Sequence, residues 1–369
     1  MNMKKIVLFT SLLSAFVVHA QEFNLLIGTY TSSGSDGIYV YRFNAATGET
    51  QKISSVKTSN PSFLAVSPNK KFVYAVNSND PGMVSAFQYN KVAGTLTKLN
   101  EVTSGGANPC YISIHKSGTH LVVGNYRAGN LAVIDIRKNG IINQPKQIIQ
   151  HNGNSVNKTR QDKAHVHATV FSPDNNFLFV PDLGMDKLMV YTVAQRSGAI
   201  LAADPAFYEV NGGAGPRHFE FHPTRPYAYL IEELTGTVSV FKYEKGKLTL
   251  LQNTSCHPMS YQGVMGSADI HVSPDGKFLY CSNRGDANSI AIFRIDQKTG
   301  MIQIAGFQPT LGVHPRNFSF DPKGNFLLVA NRDSDEIVIF KVDKQSGLLE
   351  DSKQRIRVSK PVCLKWIKK

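Results

Sequence analysis

The stretch GPRHFEFHPTRPYAYLIEEL, Gly215 to Leu234, reads as an apolar β-strand, a Pro-containing turn and a second strand. Alternating apolar residues bounded by Pro, Thr and Gly mark an antiparallel hairpin. Arg217, His218, Glu232 and Glu233 sit at the open end of that hairpin. Charges there need solvent or one another, so what lies beside them is the first question the chain raises.

The hairpin recurs. Its counterparts are NPSFLAVSPNKKFVYAVNS (60–78), NPCYISIHKSGTHLVVGNY (108–126), HVHATVFSPDNNFLFVPDL (165–183), GSADIHVSPDGKFLYCSNR (266–284) and HPRNFSFDPKGNFLLVANR (314–332). A third strand follows each, such as GTVSVFKY or SIAIFRI, and a fourth, such as GKLTLLQNT, usually precedes the next unit. The residue just after the second strand is Tyr30, Ser78, Tyr126, Leu183, Glu233, Arg284 and Arg332 in turn, at steps of 48, 48, 57, 50, 51 and 48 residues. A fixed period of about 50 residues is the mark of a repeat architecture. The first unit lacks an opening strand and begins at FNLLIGTY, while the C-terminal KPVCLKWI aligns with NPSFLAV. The expected fold is therefore all-β: a seven-bladed β-propeller of four-stranded antiparallel blades, closed by the C-terminal strand joining the N-terminal blade. No long helical period interrupts it, which speaks against a helical solenoid or a doubly wound α/β fold.

Residues 1–20 have a basic start at Lys4 and Lys5, an apolar run from Ile6 to Val18 and a small-residue end at Ala20. That is the pattern of a secretory signal peptide. The remaining 21–369 are expected to form one exported propeller domain, periplasmic or secreted, with no integral membrane segment after cleavage. The net charge of +13 favours anionic ligands. There is no block of five Lys/Arg and no nucleic-acid-binding signature, so the charge is read as diffuse and no nucleic acid is expected. Cys110, Cys256, Cys281 and Cys363 show no metal-type spacing and no evident pairing. His165 and His167 have the look of a two-ligand metal pair but lack accompanying carboxylates, so neither metal nor cofactor is expected. NGGAGPRH lacks the Lys-Ser/Thr of a phosphate loop and reads as a connecting turn. No GxSxG elbow occurs. The sequence assigns no oligomeric state.

Rotational repetition turns alignment into geometry. Equivalent positions at the start of the first strands are Ser62, Cys110, His167, Arg217, Ala268, Arg316 and Val362, and these should ring one channel mouth together with the seven residues that follow the second strands. The polar and charged members cluster in units four to seven: His167, Arg217, Glu233, Arg284, Arg316 and Arg332. Arginine presents a planar, permanently charged fork to carboxylate or phosphate. Glu233 is a candidate base or a partner for an Arg, and His167 a candidate for proton transfer. Asp182 and Asp269 lie near the same mouth as possible orienting groups or turn stabilisers, and Tyr126 with Asn125 as possible lining. Alternation points His218 and Glu232 away from the ring, as packing residues.

At these motifs the chain resembles the seven-bladed propeller lactonase family, which includes bacterial 6-phosphogluconolactonases of the propeller type and carboxy-muconate cyclases. The resemblance spans almost all of 21–369. The family's cyclase branch implies a site of one His, two Arg and one Glu, which fall on His167, Arg217, Arg284 and Glu233. The resemblance also implies a substrate that is a small anionic or sugar-derived lactone, opened to its hydroxy acid; Arg316 and Arg332, added by the repeat alignment rather than by the resemblance, are expected to hold a phosphate or carboxylate. Water would attack the ring carbonyl with Glu233 or His167 as base while an Arg stabilises the oxyanion. Two alternatives are kept: cycloisomerisation of an unsaturated dicarboxylate, and a non-catalytic exported propeller that binds an anion or a protein.

Overall fold

The computed structural model describes residues 22–368. The expected signal peptide lies outside the described residues. Seven four-stranded antiparallel sheets follow one another, and in six of them the strands lie in simple chain order from the axis outward. The exception is the first blade, where Pro361–Lys368 is the innermost strand, followed by Glu22–Thr29, Gly37–Asn44 and Thr50–Lys57. Leu26 thereby pairs with Lys365 and Gly28 with Cys363, so the two ends of the chain close the ring as the repeat predicts. No helix among the described residues is long and apolar enough to cross a membrane.

Packing between blades holds the ring. The second strand of every blade is buried on both faces, as in Phe72–Asn77, Tyr227–Glu232 and Phe326–Asn331. Between the fourth and fifth blades Phe179 stacks on Phe219 with centroids 5.2 Å apart, and Phe221 and Tyr243 complete that cluster. Burial of each such ring stabilises by about 1.5–3 kcal/mol. All four cysteines are free and buried, where they act as small core side chains.

One irregularity of the inner strands decides where the site forms. In the fifth blade Pro216 pairs with Glu232 but His218 pairs with Ile231, which leaves Arg217 as the extra residue of a β-bulge. The same shift leaves out Ser62 in the second blade, Cys110 in the third and Arg316 in the seventh. In the sixth blade it falls between Ser267 and Ile270, and in the first it skips Val362. A bulge breaks the in/out alternation and re-aims its side chain. The ring positions found from the repeat are thus the bulge positions. The fourth blade departs from the expected strand: its inner strand is only Val170–Phe171, with a bridge between Val166 and Asp182 above it, so His167 stands outside the ladder.

In four blades the residue ending the second strand ties it to a neighbouring loop. Asn77, Asn125, Asn283 and Asn331 donate to backbone carbonyls of Ser59, Ser104, Cys256 and Thr310. Glu232 holds this position in the fifth blade and accepts from Ser239 Oγ at 2.7 Å and from Thr237. It is a packing residue, as alternation suggests.

Candidate active site

Glu233 is the centre of the charge cluster. Its Oε2 accepts from Arg217 Nε at 2.8 Å and pairs with Arg284 Nη2 at 2.9 Å, while its Oε1 pairs with Arg160 Nη2 at 2.5 Å. Backbone geometry fixes the carboxylate, because Glu233 N–H donates to Gly215 O at 2.7 Å and Glu233 O accepts from Ser267 N–H. Burial alone would raise the Glu233 carboxyl, but Arg284 and Arg217, with Arg160 behind them, hold it well below the usual carboxylate range. Glu233 is thus an anion with both oxygens engaged.

The arginines are positioned as firmly. Arg217 is 1% exposed, and its Nη1 donates to Ala268 O at 2.6 Å. Arg284 Nε donates to Gly266 O and its Nη2 to Ser267 O. Arg316 stands 5.8 Å over the ring of Tyr30 and makes no ion pair among the described residues. It still acts on Arg217 and Arg284 through their charges. Four guanidinium groups around one carboxylate leave the mouth strongly cationic, an arrangement suited to an anionic ligand or a developing oxyanion.

His167 lies in the same cluster. Burial, with Arg217 and His218 beside it, holds its imidazole well below 6.5, so the ring is neutral at neutral pH. Tyr126 packs edge-on against it with centroids 5.3 Å apart and receives a long hydrogen bond from Arg160 at 3.4 Å. Cys110 Sγ lies 3.9 Å from His167 Nδ1, but burial pushes its thiol up to about 12, which rules out a thiolate near neutral pH. Phe63 stacks on Tyr111 at 4.1 Å, with His218 edge-on at 5.3 Å from Tyr111.

Sequence reasoning did not single out Arg160. It sits on the long connection between the third and fourth blades, the one whose repeat step is 57 residues. That excess length was the available signal. Asp182 and Asp186 pin the connection. Asp182 Oδ1 accepts from the backbone N–H of His165 and Gly184, and Oδ2 from His151 Nδ1 at 2.7 Å. Asp186 accepts from Gln161, Ser155, Gly213 and Gly215, which fastens the Arg160 connection to the turn leading into Arg217. Gly184 is required here, since a Cβ would fall 1.8 Å from Lys163 O. NGGAGPRH is a connecting turn, as read, with two of its glycine N–H groups held by Asp186.

Other expected residues are placed differently. Arg332 forks onto its neighbour Asp333 at 2.8 Å through both Nε and Nη2, and is not brought into the Glu233 cluster. His165 spends its ring nitrogens on Tyr126 O and Asp162 and stacks on the Tyr126 ring. Asn125 ties strands together. Asp269 is bonded to His218 Nδ1 at 2.7 Å and His271 Nε2 at 3.2 Å. His218, expected to point away, touches Arg217 instead, because the bulge turns the two consecutive side chains toward each other. A wide cleft lined by His120, Asp135, Lys146 and Arg196 opens at the other ends of the strands and has no part in this cluster.

Known proteins carry the same fold and length. Residues 24–366 match a family described as lactonase, 7-bladed beta-propeller. A 6-phosphogluconolactonase of Formosa agariphila is 40% identical over 344 residues, covering 91% of this chain and 97% of the relative. The 6-phosphogluconolactonase of Bacillus subtilis is 33% identical over 348 residues, covering 92% and 97%. Among solved structures, the periplasmic gluconolactonase PpgL of Pseudomonas aeruginosa superposes with a TM-score of 0.90 at 37% identity, covering 94% of this chain and 99% of that one. With a whole-ring match of this kind beneath a buried His, Glu and arginine cluster, the chain belongs to the seven-bladed β-propeller lactonase family.

Proposed function

We propose that this protein hydrolyses a sugar-derived lactone, of the gluconolactone or 6-phosphogluconolactone type, at the arginine-lined mouth of its channel. The observation that carries the reading is the triple pairing of Glu233 with Arg217, Arg284 and Arg160 beside a neutral His167. A buried carboxylate spanned by three guanidinium groups is a poor proton acceptor but a good organiser of them. His167 is then the base that takes a proton from the attacking water. Arg217 and Arg284 stabilise the negative charge that gathers on the former carbonyl oxygen as the tetrahedral adduct forms. Collapse of the adduct breaks the ring C–O bond and returns the proton to the departing alkoxide, which gives the free hydroxy acid.

Arg316, with no carboxylate partner, is suited to hold an anionic substituent remote from the carbonyl. Arg332 is already satisfied by Asp333 and takes no part. The periplasmic PpgL supports export of this chain as well, in line with the pattern of residues 1–20. Acid release from glucono-δ-lactone and 6-phosphoglucono-δ-lactone, followed in a pH-stat with wild-type protein and His167→Asn, tests the assignment. Wild-type turnover of at least one lactone and its loss in the variant are expected. Saturable binding of both without acid release overturns it in favour of a non-catalytic anion-binding propeller.

A further inference from the structure

We propose that His218 and Asp269 are positioning residues for Arg217: together they fix one imidazole tautomer and, through it, the orientation of the guanidinium that faces the substrate. The inference rests on the lactonase reading for its kinetic consequence but not for its structural content.

The argument is one of hydrogen-bond polarity. Arg217 Nη1 lies 3.1 Å from His218 Nε2. A guanidinium only donates, so Nε2 must carry a lone pair. The proton of a neutral imidazole is then on Nδ1, which stands 2.7 Å from Asp269 Oδ1 and donates to it. Asp269 cannot drift, because its Oδ2 accepts from Asn317 Nδ2, from Phe318 N–H at 3.1 Å and from His271 Nε2 at 3.2 Å. Its own N–H donates to Ser282 Oγ at 3.0 Å. Asn317 in turn accepts from Leu364 N–H at 2.7 Å, which ties the chain of contacts to the closing strand of the first blade. Asp269 is 2% and His218 7% exposed, so water does not compete for these bonds. Burial and the neighbouring Arg217 lower the His218 imidazole to about 4, in agreement with a neutral ring.

The bonds to Arg217 divide its fork. Nε is held by Glu233, and Nη1 by Ala268 O and His218 Nε2. Nη2 has no protein acceptor among the described residues and is the edge left for a substrate oxygen. Without the acceptor at His218 the guanidinium keeps its charge but loses one of the contacts that aim it.

Purified wild type, His218→Phe and His218→Gln, compared on glucono-δ-lactone and 6-phosphoglucono-δ-lactone, test this. Gln places a carbonyl near the Nε2 position, whereas Phe fills the same aromatic slot with no acceptor. The Phe variant is expected to fold, with a cooperative melt, and to lose kcat by on the order of 10²-fold with a much smaller change in KM. The Gln variant should recover most of that loss. Equal impairment of Gln and Phe, or full activity in Phe, overturns the proposal. Imidazole ¹⁵N NMR on the wild type tests it without activity: a protonated Nδ1 and bare Nε2 on His218 are expected at pH 7, and a protonated Nε2 overturns it. If no lactone is turned over by wild type, the lactonase reading fails while the NMR result still decides this one.

Discussion

Arg160 Nη2 lies 2.5 Å from Glu233 Oε1, although 73 residues and a blade boundary separate them in the chain. The other two arginines on Glu233 come from the body of the propeller, whereas Arg160 comes from a connection and keeps 41% of its side chain exposed. Partial exposure limits what the pair is worth to about 0.2–1 kcal/mol. Arg160→Ala should therefore weaken kcat/KM by only about 2- to 5-fold and leave the melting temperature nearly unchanged. A loss above about 100-fold in the same assay would show instead that Arg160 contacts the reacting atoms.

Glu233→Gln keeps the shape and removes the charge. Arg217 and Arg284, which are buried with it, then face each other without a counter-charge. Breaking a buried pair in this way costs about 3–5 kcal/mol. Calorimetry should show a clear drop in melting temperature, and lactone turnover should fall to near background even where the variant remains folded. A Gln variant with wild-type stability and turnover contradicts the central role given to this carboxylate.

The pH profile follows from His167. Its folded pKa is held well below 6.5, and a base acts when unprotonated. Enzyme-catalysed kcat/KM should stay level from pH 8 down through 6.5 and decline only in the acid range beyond it. An acid limb centred at or above 6.5 excludes a neutral His167 as the base.

Stability should depend on pH on both sides of neutrality. Burial lowers His218 to about 4, so the unfolded chain binds more protons at that site, and stability present above 6.5 is lost as pH falls toward 4. His271 behaves in the opposite sense: burial opposes its charge, but Asp269 and Glu220 raise it to about 10. Its contribution is complete below 6.5 and is lost as pH rises through 10. Melting temperatures of wild type and His271→Gln across this range check the sign, with the variant expected to have a flatter alkaline limb.

Arg316 and Arg332 separate cleanly as substrate-binding candidates. Arg316→Gln should raise KM for the phosphorylated lactone by about tenfold or more, since a charge-assisted hydrogen bond is worth about 1.5–3 kcal/mol, with less effect on the unphosphorylated one. Arg332→Ala should leave both unchanged. Turnover in ¹⁸O-labelled water gives a parallel check on reaction type, as hydrolysis places one solvent oxygen in the product carboxylate and cycloisomerisation places none.

Much of this arrangement was legible in the sequence, for a definite reason. Rotational repetition makes sequence position a proxy for height and radius, so Arg217, Glu233 and Arg284 could be placed at one mouth from alignment alone. What escaped was whatever breaks the repeat. Arg160 rides on a connection with no counterpart in other blades. His218 was misdirected because strict alternation cannot register a bulge at the residue before it. Arg332 has the right position but an adjacent carboxylate, Asp333, that claims its fork first. Position predicts proximity, and only local bonding decides which charges remain available.

The closing strand Pro361–Lys368 acts as a clasp between the first and last strands of the described ring. Its pairing joins segments more than 330 residues apart, as in Leu26 with Lys365, and such distant pairings form slowly. Val362 of the ring and Leu364, which anchors Asn317, both belong to it. An incomplete chain thus lacks both the seal of the ring and one support of the Asp269 network. A ring left unsealed keeps the inner edge of Glu22–Thr29 unpaired, and an open strand edge is a template for association with other chains.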